Sequence, residues 1–350
     1  MSVGQGATPS ALSYIAIARE TVFGTGVTGT AQLGFLSSSI KTIQENKILE
    51  SIETSRTYSK NIRMSKQIEG DIEYYFAPRE TATGWLLENA FGAAPTSATS
   101  TGETVGGGAF THTFAIGHIV DASYPSLSIN YRKGDASSGQ VFEYFGTRIN
   151  EWKLTAEIDD AVKSSVSLIC KNETITTNDV ESSLSVTNNS CLSFVDGRIS
   201  VETTFAGLTS TSFWHVQSVE FAVANSLKNG NESRRVGSDV LDVLPSGIAS
   251  FTFNATIRFD TTTAYLAMRN STQLSGQLEF LGDTMAGSTV REGLTVNLPK
   301  LFISDAGDPE VGGPDEILTS DVVFHVLRDT SSATGYAVKA LLTNNIASYA

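Results

Sequence analysis

Gln67-Ile-Glu-Gly-Asp-Ile-Glu-Tyr-Tyr-Phe-Ala-Pro-Arg-Glu-Thr-Ala-Thr-Gly-Trp-Leu-Leu-Glu-Asn-Ala-Phe-Gly92 changes its hydrophobic period halfway along, and that change decides the fold class. In the first half Ile68, Gly70, Ile72, Tyr74 and Phe76 fall on one face, with Gln67, Glu69, Asp71, Glu73 and Tyr75 on the other. Period-two alternation marks a strand with one dry and one wet face. Pro78 ends it, because proline gives no N–H to a ladder and is already set for a helix start. Beyond it Trp85, Leu86, Ala90 and Phe91 make the stripe of a short amphipathic helix, and Gly92 stands where a left-handed C-terminal cap belongs.

Outward from this unit the chain is rich in strands. Residues 1–30 hold one short apolar run among Gly, Ser and Thr and read as an arm; their Gly24-Thr-Gly-Val-Thr-Gly29 lacks the buried strand and following helix that a dinucleotide fingerprint needs, so it reads as loop. Ser38–Ser65 reads as a long polar loop with scattered aliphatics and a basic second half (Arg56, Lys60, Arg63), suited to docking a partner. Strands are expected at 109–116, 126–132, 140–145, 147–158 and 162–170, and polar Asn172–Asn189 reads as a boundary.

The second half repeats the plan. A polar loop with its own basic spot, Arg234-Arg235, precedes an alternating strand with Ala249, Phe251, Phe253, Ala255, Ile257 and Phe259 on one face. Its other face carries Ser250, Thr252, Asn254, Thr256 and Arg258, and a short helix over 261–269 and four strands follow. The expected architecture is therefore all-β: two tandem barrel or sandwich units, 1–185 and 186–350, each with one short α-helix.

Composition narrows the function. The 350 residues carry a net charge of −13, which argues against gripping nucleic acid through its phosphates but suits a surface that DNA must pass without sticking. Leu12–Ala18 is too short to span a bilayer, and two cysteines, Cys170 and Cys191, are not a disulfide framework. The four histidines sit in no zinc-binding spacing, and no nucleophile elbow or P-loop occurs, so neither catalytic residues nor a cofactor is expected. Asp305, Asp308, Glu310, Asp315 and Glu316 share a glycine-rich loop without EF-hand spacing, which reads as a solvated acidic loop. The ladder Glu69, Asp71, Glu73 admits three readings: the lining of an acidic channel, a plain solvent face, or paired acids for glycoside chemistry.

The unit 67–92, together with Tyr14-Ile-Ala-Ile-Ala-Arg-Glu-Thr-Val-Phe-Gly-Thr-Gly-Val27, Leu294–Ile303, Asp308-Pro-Glu-Val-Gly-Gly313 and Gly335–Lys339, resembles the major tail tube protein of long, non-contractile bacteriophage tails. The resemblance implies a structural virion protein whose subunits join into rings and stack into a hollow tube, the conduit of the genome. It implies as partners further copies of the chain, the tape measure and tube-end proteins, and DNA in unspecific passage, with no membrane. On that reading Glu69, Asp71, Glu73, Ser250, Thr252, Asn254 and Thr256 line the lumen, and Arg56, Lys60, Arg63, Arg234 and Arg235 meet neighbouring subunits or rings. Two barrels per chain further imply a threefold ring imitating a sixfold one. The competing reading is a secreted β-sandwich module that binds carbohydrate or acts as an adhesin.

Overall fold

The computed structural model describes residues 10–50, 57–101, 108–116, 124–134, 140–184, 190–209, 213–259, 262–307, 317–330 and 335–349. In chain order the first half contains β1 (Tyr14–Glu20), β2 (Ala31–Leu33), β3 (Ser37–Ser38), β4 (Lys41–Leu49), β5 (Lys60–Tyr75) and α1 (Thr81–Phe91). It continues with β6 (Thr96–Thr99), β7 (Phe110–Ala115), β8 (Ser126–Lys133), β9 (Gln140–Glu157), β10 (Lys163–Cys170) and β11 (Asn172–Thr176). The second half contains β12 (Gly197–Glu202), β13 (Val216–Ala224), β14 (Ser250–Arg258), α2 (Thr263–Arg269), β15 (Leu274–Thr284), β16 (Arg291–Ala306), β17 (Thr319–Val326) and β18 (Lys339–Asn344).

The all-β expectation with two short helices holds, but the strands form a continuous hydrogen-bonded sheet system that does not close into a barrel. Its central run is β4-β5-β10-β9-β13-β14-β17-β16, antiparallel at every step. The order repeats: a hairpin (β4–β5, then β13–β14) lies beside a later hairpin entered from its far strand (β10–β9, then β17–β16). The two halves meet where β9 pairs with β13, Ser218↔Glu157 through Ala224↔Glu151, and again where β18 pairs with β7. Strand β9 makes the first junction because it is 18 residues long. Its first part lies between β8 and β11 and its second between β10 and β13. The sequence suggested two strands here, and Gly146, at φ 59°, marks the place where one strand passes from the first set of neighbours to the second.

Helix α1 lies against the apolar face and packs on β9, β1, β2, β7 and β13. Leu86, Leu87, Ala90 and Phe91 are fully buried. Gly92 caps it at φ 74° and donates its N–H to the Glu88 carbonyl at 2.9 Å, as the glycine position suggested. Phe91 and Phe221 both pack against Trp152 of β9, at 6.1 and 6.2 Å between ring centroids, so one indole ties the helix of the first half to the sheet of the second. Asn89 holds the same place with polar contacts: its carboxamide accepts from the Ile149 N–H at 2.6 Å and donates to the Pro125 carbonyl at 3.0 Å.

Two expectations need correction. The region 1–30 is not a peripheral arm throughout: Ile15, Ala16 and Ile17 of β1 are fully buried between β2 and β8. Flanking Gly, Ser and Thr concealed a core strand, and they serve it, since the Gly29 N–H donates to the Asn130 side chain at 2.7 Å. Nor is the described part of Ser38–Ser65 a loop; residues 51–56 lie outside the described residues. β3 and β4 pair with β5 along most of it, Lys41↔Glu69 through Leu49↔Lys60. Its outer part covers no core on either face, so it has no hydrophobic alternation by which to be recognised.

Candidate functional site

The central run of strands has two unlike faces. Trp152, Leu154, Val166, Leu168, Ile72, Tyr74, Phe221 and Phe253 point to the core. The alternate residues carry carboxylates, hydroxyls and amides to solvent. Because register places every second residue on the same side, the rows across this outer face can be read from the pairings.

One row runs Glu73, Ser165, Lys153, Ala222, Thr252 across β5, β10, β9, β13 and β14. The next outward runs Tyr75, Lys163, Thr155, Glu220, Asn254, Val323, reaching β17. The row on the other side runs Asp71, Ser167, Glu151, Ala224, Ser250, and Glu157, Ser218, Thr256 and Asp321 form a fourth. Glu69, Asp71 and Glu73 from one half and Ser250, Thr252, Asn254 and Thr256 from the other thus share one face, bridged by residues that sequence reading did not single out. Those are Glu151, Lys153 and Thr155 of β9, Ser165 and Ser167 of β10, Glu220 of β13 and Asp321 of β17. The signal that could have found them is the alternation of β9 and β10, in which polar residues hold every second place opposite Trp152, Leu154, Val166 and Leu168.

Local contacts order this face without neutralising it. Ser37 and Ser39 donate to Glu73 and Asp71, each at 3.4 Å, while the Asp71 N–H donates to the Ser39 hydroxyl at 2.8 Å. Thr256 donates to Asp321 at 2.7 Å. Lys153 lies 2.5 Å from Glu220 across the junction of the halves, and Lys163 lies 2.5 Å from Asp160 at the β9–β10 turn, leaving Glu69, Asp71, Glu73, Glu151 and Glu157 without an ion-pair partner among the described residues. The polar face stops at Glu69, because its neighbour Ile169 is buried with Leu227, Leu241, Leu244 and Tyr124 under the segment after β13.

The basic candidates lie elsewhere. Arg63 pairs with Asp239, and Arg234 donates to the carbonyls of Asp239 and Lys66, each at 3.0 Å. The basic spots of the two halves therefore meet at the base of the β4–β5 hairpin. Arg235 lies 3.4 Å from Asp242, Lys60 opens β5 opposite Leu49, and Arg56 lies outside the described residues. Of the acidic loop only Asp305 among the named carboxylates is described. Among the described residues no group of three His, Cys, Asp or Glu side chains is placed to hold a metal ion. Among the same residues no helix is long and apolar enough to cross a membrane.

The buried charges serve the fold. Glu88 of α1 is buried and pairs with Arg19 at 2.7 Å; burial raises its carboxyl and the guanidinium opposes the rise. Glu292 pairs with Arg79, joining the entry of α1 to β16. Glu80, ahead of α1, is pushed up to about 7 by burial.

Compared with known proteins, residues 10–326 match a family model described as phage tail tube protein. A solved structure entitled "Crystal structure of Hcp protein" aligns at 14% identity over 37% of this chain and 86% of its own, with a TM-score of 0.24. No curated protein matches the chain.

Proposed function

Because the chain belongs to the phage tail tube protein family, we propose that it is the subunit that builds the hollow tube of a long, non-contractile tail, with the polar face of its central sheet turned to the bore. The observation that carries this reading is the convergence of both ladders, one from each half, on a single face whose opposite side is the core. A face of carboxylates, hydroxyls and amides with few ammonium groups leaves DNA phosphates unbound, so the genome slides past without forming ion pairs. Other copies of the chain are its main partners, and the tape measure and tube-end proteins meet the same tube.

The repeated strand order supports two equivalent units per chain, 1–185 and 186–350, and hence three chains per ring in place of six. The junction of β9 with β13 then stands for the contact that recurs around the ring, between the last strand of one unit and the first of the next. Only an order running from first half to second half and back to first closes such a ring.

Electron cryomicroscopy of tubes assembled from purified protein tests the proposal. It is expected to show three chains per ring with Glu69, Asp71, Glu73, Thr252 and Thr256 at the bore. Rings of six chains would overturn the symmetry, and these side chains on the outer wall would overturn the assignment of the face. Replacing Glu69, Asp71 and Glu73 together with Lys should leave folding intact, since exposed substitutions cost within about ±0.5 kcal/mol each, but should make empty tubes retain DNA at low salt.

A further inference from the structure

An amine, a carboxamide and a carboxylate converge where β5 enters the core. Lys66 stands on β5 between exposed Met64 and buried Ile68, on the same side as Ile68. Cys170 pairs with Ile68, and two residues beyond that pair Asn172 opens β11 while Lys66 continues β5. The Lys66 ammonium donates to Oδ1 of Asn172 at 3.4 Å and lies 3.6 Å from the Glu173 carboxylate. A carbonyl bond of about 1.23 Å then puts Cγ of Asn172 within about 4.6 Å of the Lys66 nitrogen. The same Oδ1 accepts the Glu173 backbone N–H at 2.8 Å, and Thr42 of β4 donates to the Glu173 carboxylate. The side chains of Lys66 and Glu173 are only 16% and 15% exposed, and Glu173 pairs with buried Tyr144 across β11 and β9.

We propose that Lys66 and Asn172 join in an intramolecular isopeptide bond, with Glu173 moving the protons. Glu173 takes one proton from the Lys66 ammonium, and the freed lone pair on Nζ attacks Cγ of Asn172. Negative charge develops on Oδ1, where the Glu173 backbone N–H already points. The attacking nitrogen passes a second proton to Nδ2, the Cγ–Nδ2 bond breaks, and Nδ2 leaves with the bonding pair as ammonia. Ammonia carries off the proton held by Glu173 as ammonium, so the carboxylate is restored. Nothing is oxidised or reduced, and no co-reactant is required. Fixed neighbours in one fold replace the activation that amide exchange needs in solution, and scarce water limits hydrolysis of the amide. The bond would close a loop between residues 106 positions apart and fasten the root of the β4–β5 hairpin to β11. Like a disulfide, it stabilises by removing freedom from the unfolded chain, but no reductant opens it. It forms within one chain, whatever that chain assembles into.

Mass spectrometry of the full-length protein tests it, after the folded chain has been held at neutral pH until its mass stops changing. The denatured chain is expected to be lighter than its sequence by one ammonia. Trypsin should fail to cut after Lys66, and the peptide containing Lys66 should travel joined to the one that begins at Asn172. Lys66→Arg, Asn172→Ala and Glu173→Gln should each restore the full mass and lower the melting temperature by several degrees. A parent of full mass that trypsin cuts after Lys66 would overturn the proposal, whatever the variants do. So would an ammonia lost elsewhere, as by ring closure at Asn229-Gly230, with Lys66 still cleaved. A cross-link that persists in Glu173→Gln would overturn the role given to Glu173. None of these results bears on the tube reading, which electron cryomicroscopy decides separately.

Discussion

Phe221→Ala probes whether the two halves fold as one body. Phe221 is fully buried on β13, 6.2 Å from Trp152 of the first half and 6.4 Å from Phe253 of the second, measured between ring centroids. Its truncation removes both ring contacts and leaves a cavity, at a cost of about 4 kcal/mol within the usual ~3–5 for a core phenylalanine. The melting temperature then reports how much of the chain unfolds together. With about 2.1 cal/mol/K per residue of unfolding entropy, 350 residues melting as a unit give roughly 0.74 kcal/mol/K and a fall of about 5 °C. If residues 186–350 melted alone, their 165 residues (350 − 185) would give roughly 0.35 kcal/mol/K and a fall of about 12 °C in one of two transitions. The β9–β13 and β7–β18 pairings and the shared indole favour a single transition shifted by the smaller amount. Scanning calorimetry of unassembled protein decides it. Two transitions, one of them unmoved by the substitution, would refute the argument that these pairings make the halves one cooperative body.

Two further predictions concern α1. Glu80 should make the protein lose stability as pH rises, because the folded state holds its proton up to about 7 while the unfolded chain releases it near 4.5. Between those values the folded state binds more protons, so unfolding free energy falls with pH, the reverse of an ion-paired carboxylate. The full difference of about 2.5 pH units corresponds to roughly 3 kcal/mol, which partial exposure reduces to about 1–2. Glu80→Gln should flatten that part of the profile in urea melts between pH 4.5 and 7, and an unchanged slope would exclude Glu80 as its source. Gly84→Ala should destabilise by about 1–3 kcal/mol despite alanine's better helix propensity, because its methyl would meet the Tyr349 ring, whose hydroxyl accepts from Asn344 at 2.6 Å. A neutral or stabilising result in chemical denaturation would show that the C-terminal segment yields at little cost.

The sequence by itself determined the elements whose dry face is buried within the chain. Ile68–Phe76 alternates because one side of β5 meets the core, Pro78 and Gly92 bracket α1 through the limits of their own backbones, and β14 followed by α2 repeats the pattern in the second half. Each of those signals is local, written in residues two to four apart. The wet phase of a strand contains no such information about its neighbours: Glu73 and Thr252 stand 179 positions apart (252 − 73), and only pairing through Ser165, Lys153 and Ala222 puts them in one row. The same holds for Arg63 and Arg234, separate basic spots in the chain that meet around Asp239. The β4–β5 hairpin escaped notice because its outer part has no core to cover, so hydrogen bonding alone makes it strand. Hydrophobic burial is legible in sequence because it repeats with the backbone's own period; which wet faces adjoin depends on long-range register, and that only the tertiary structure decided.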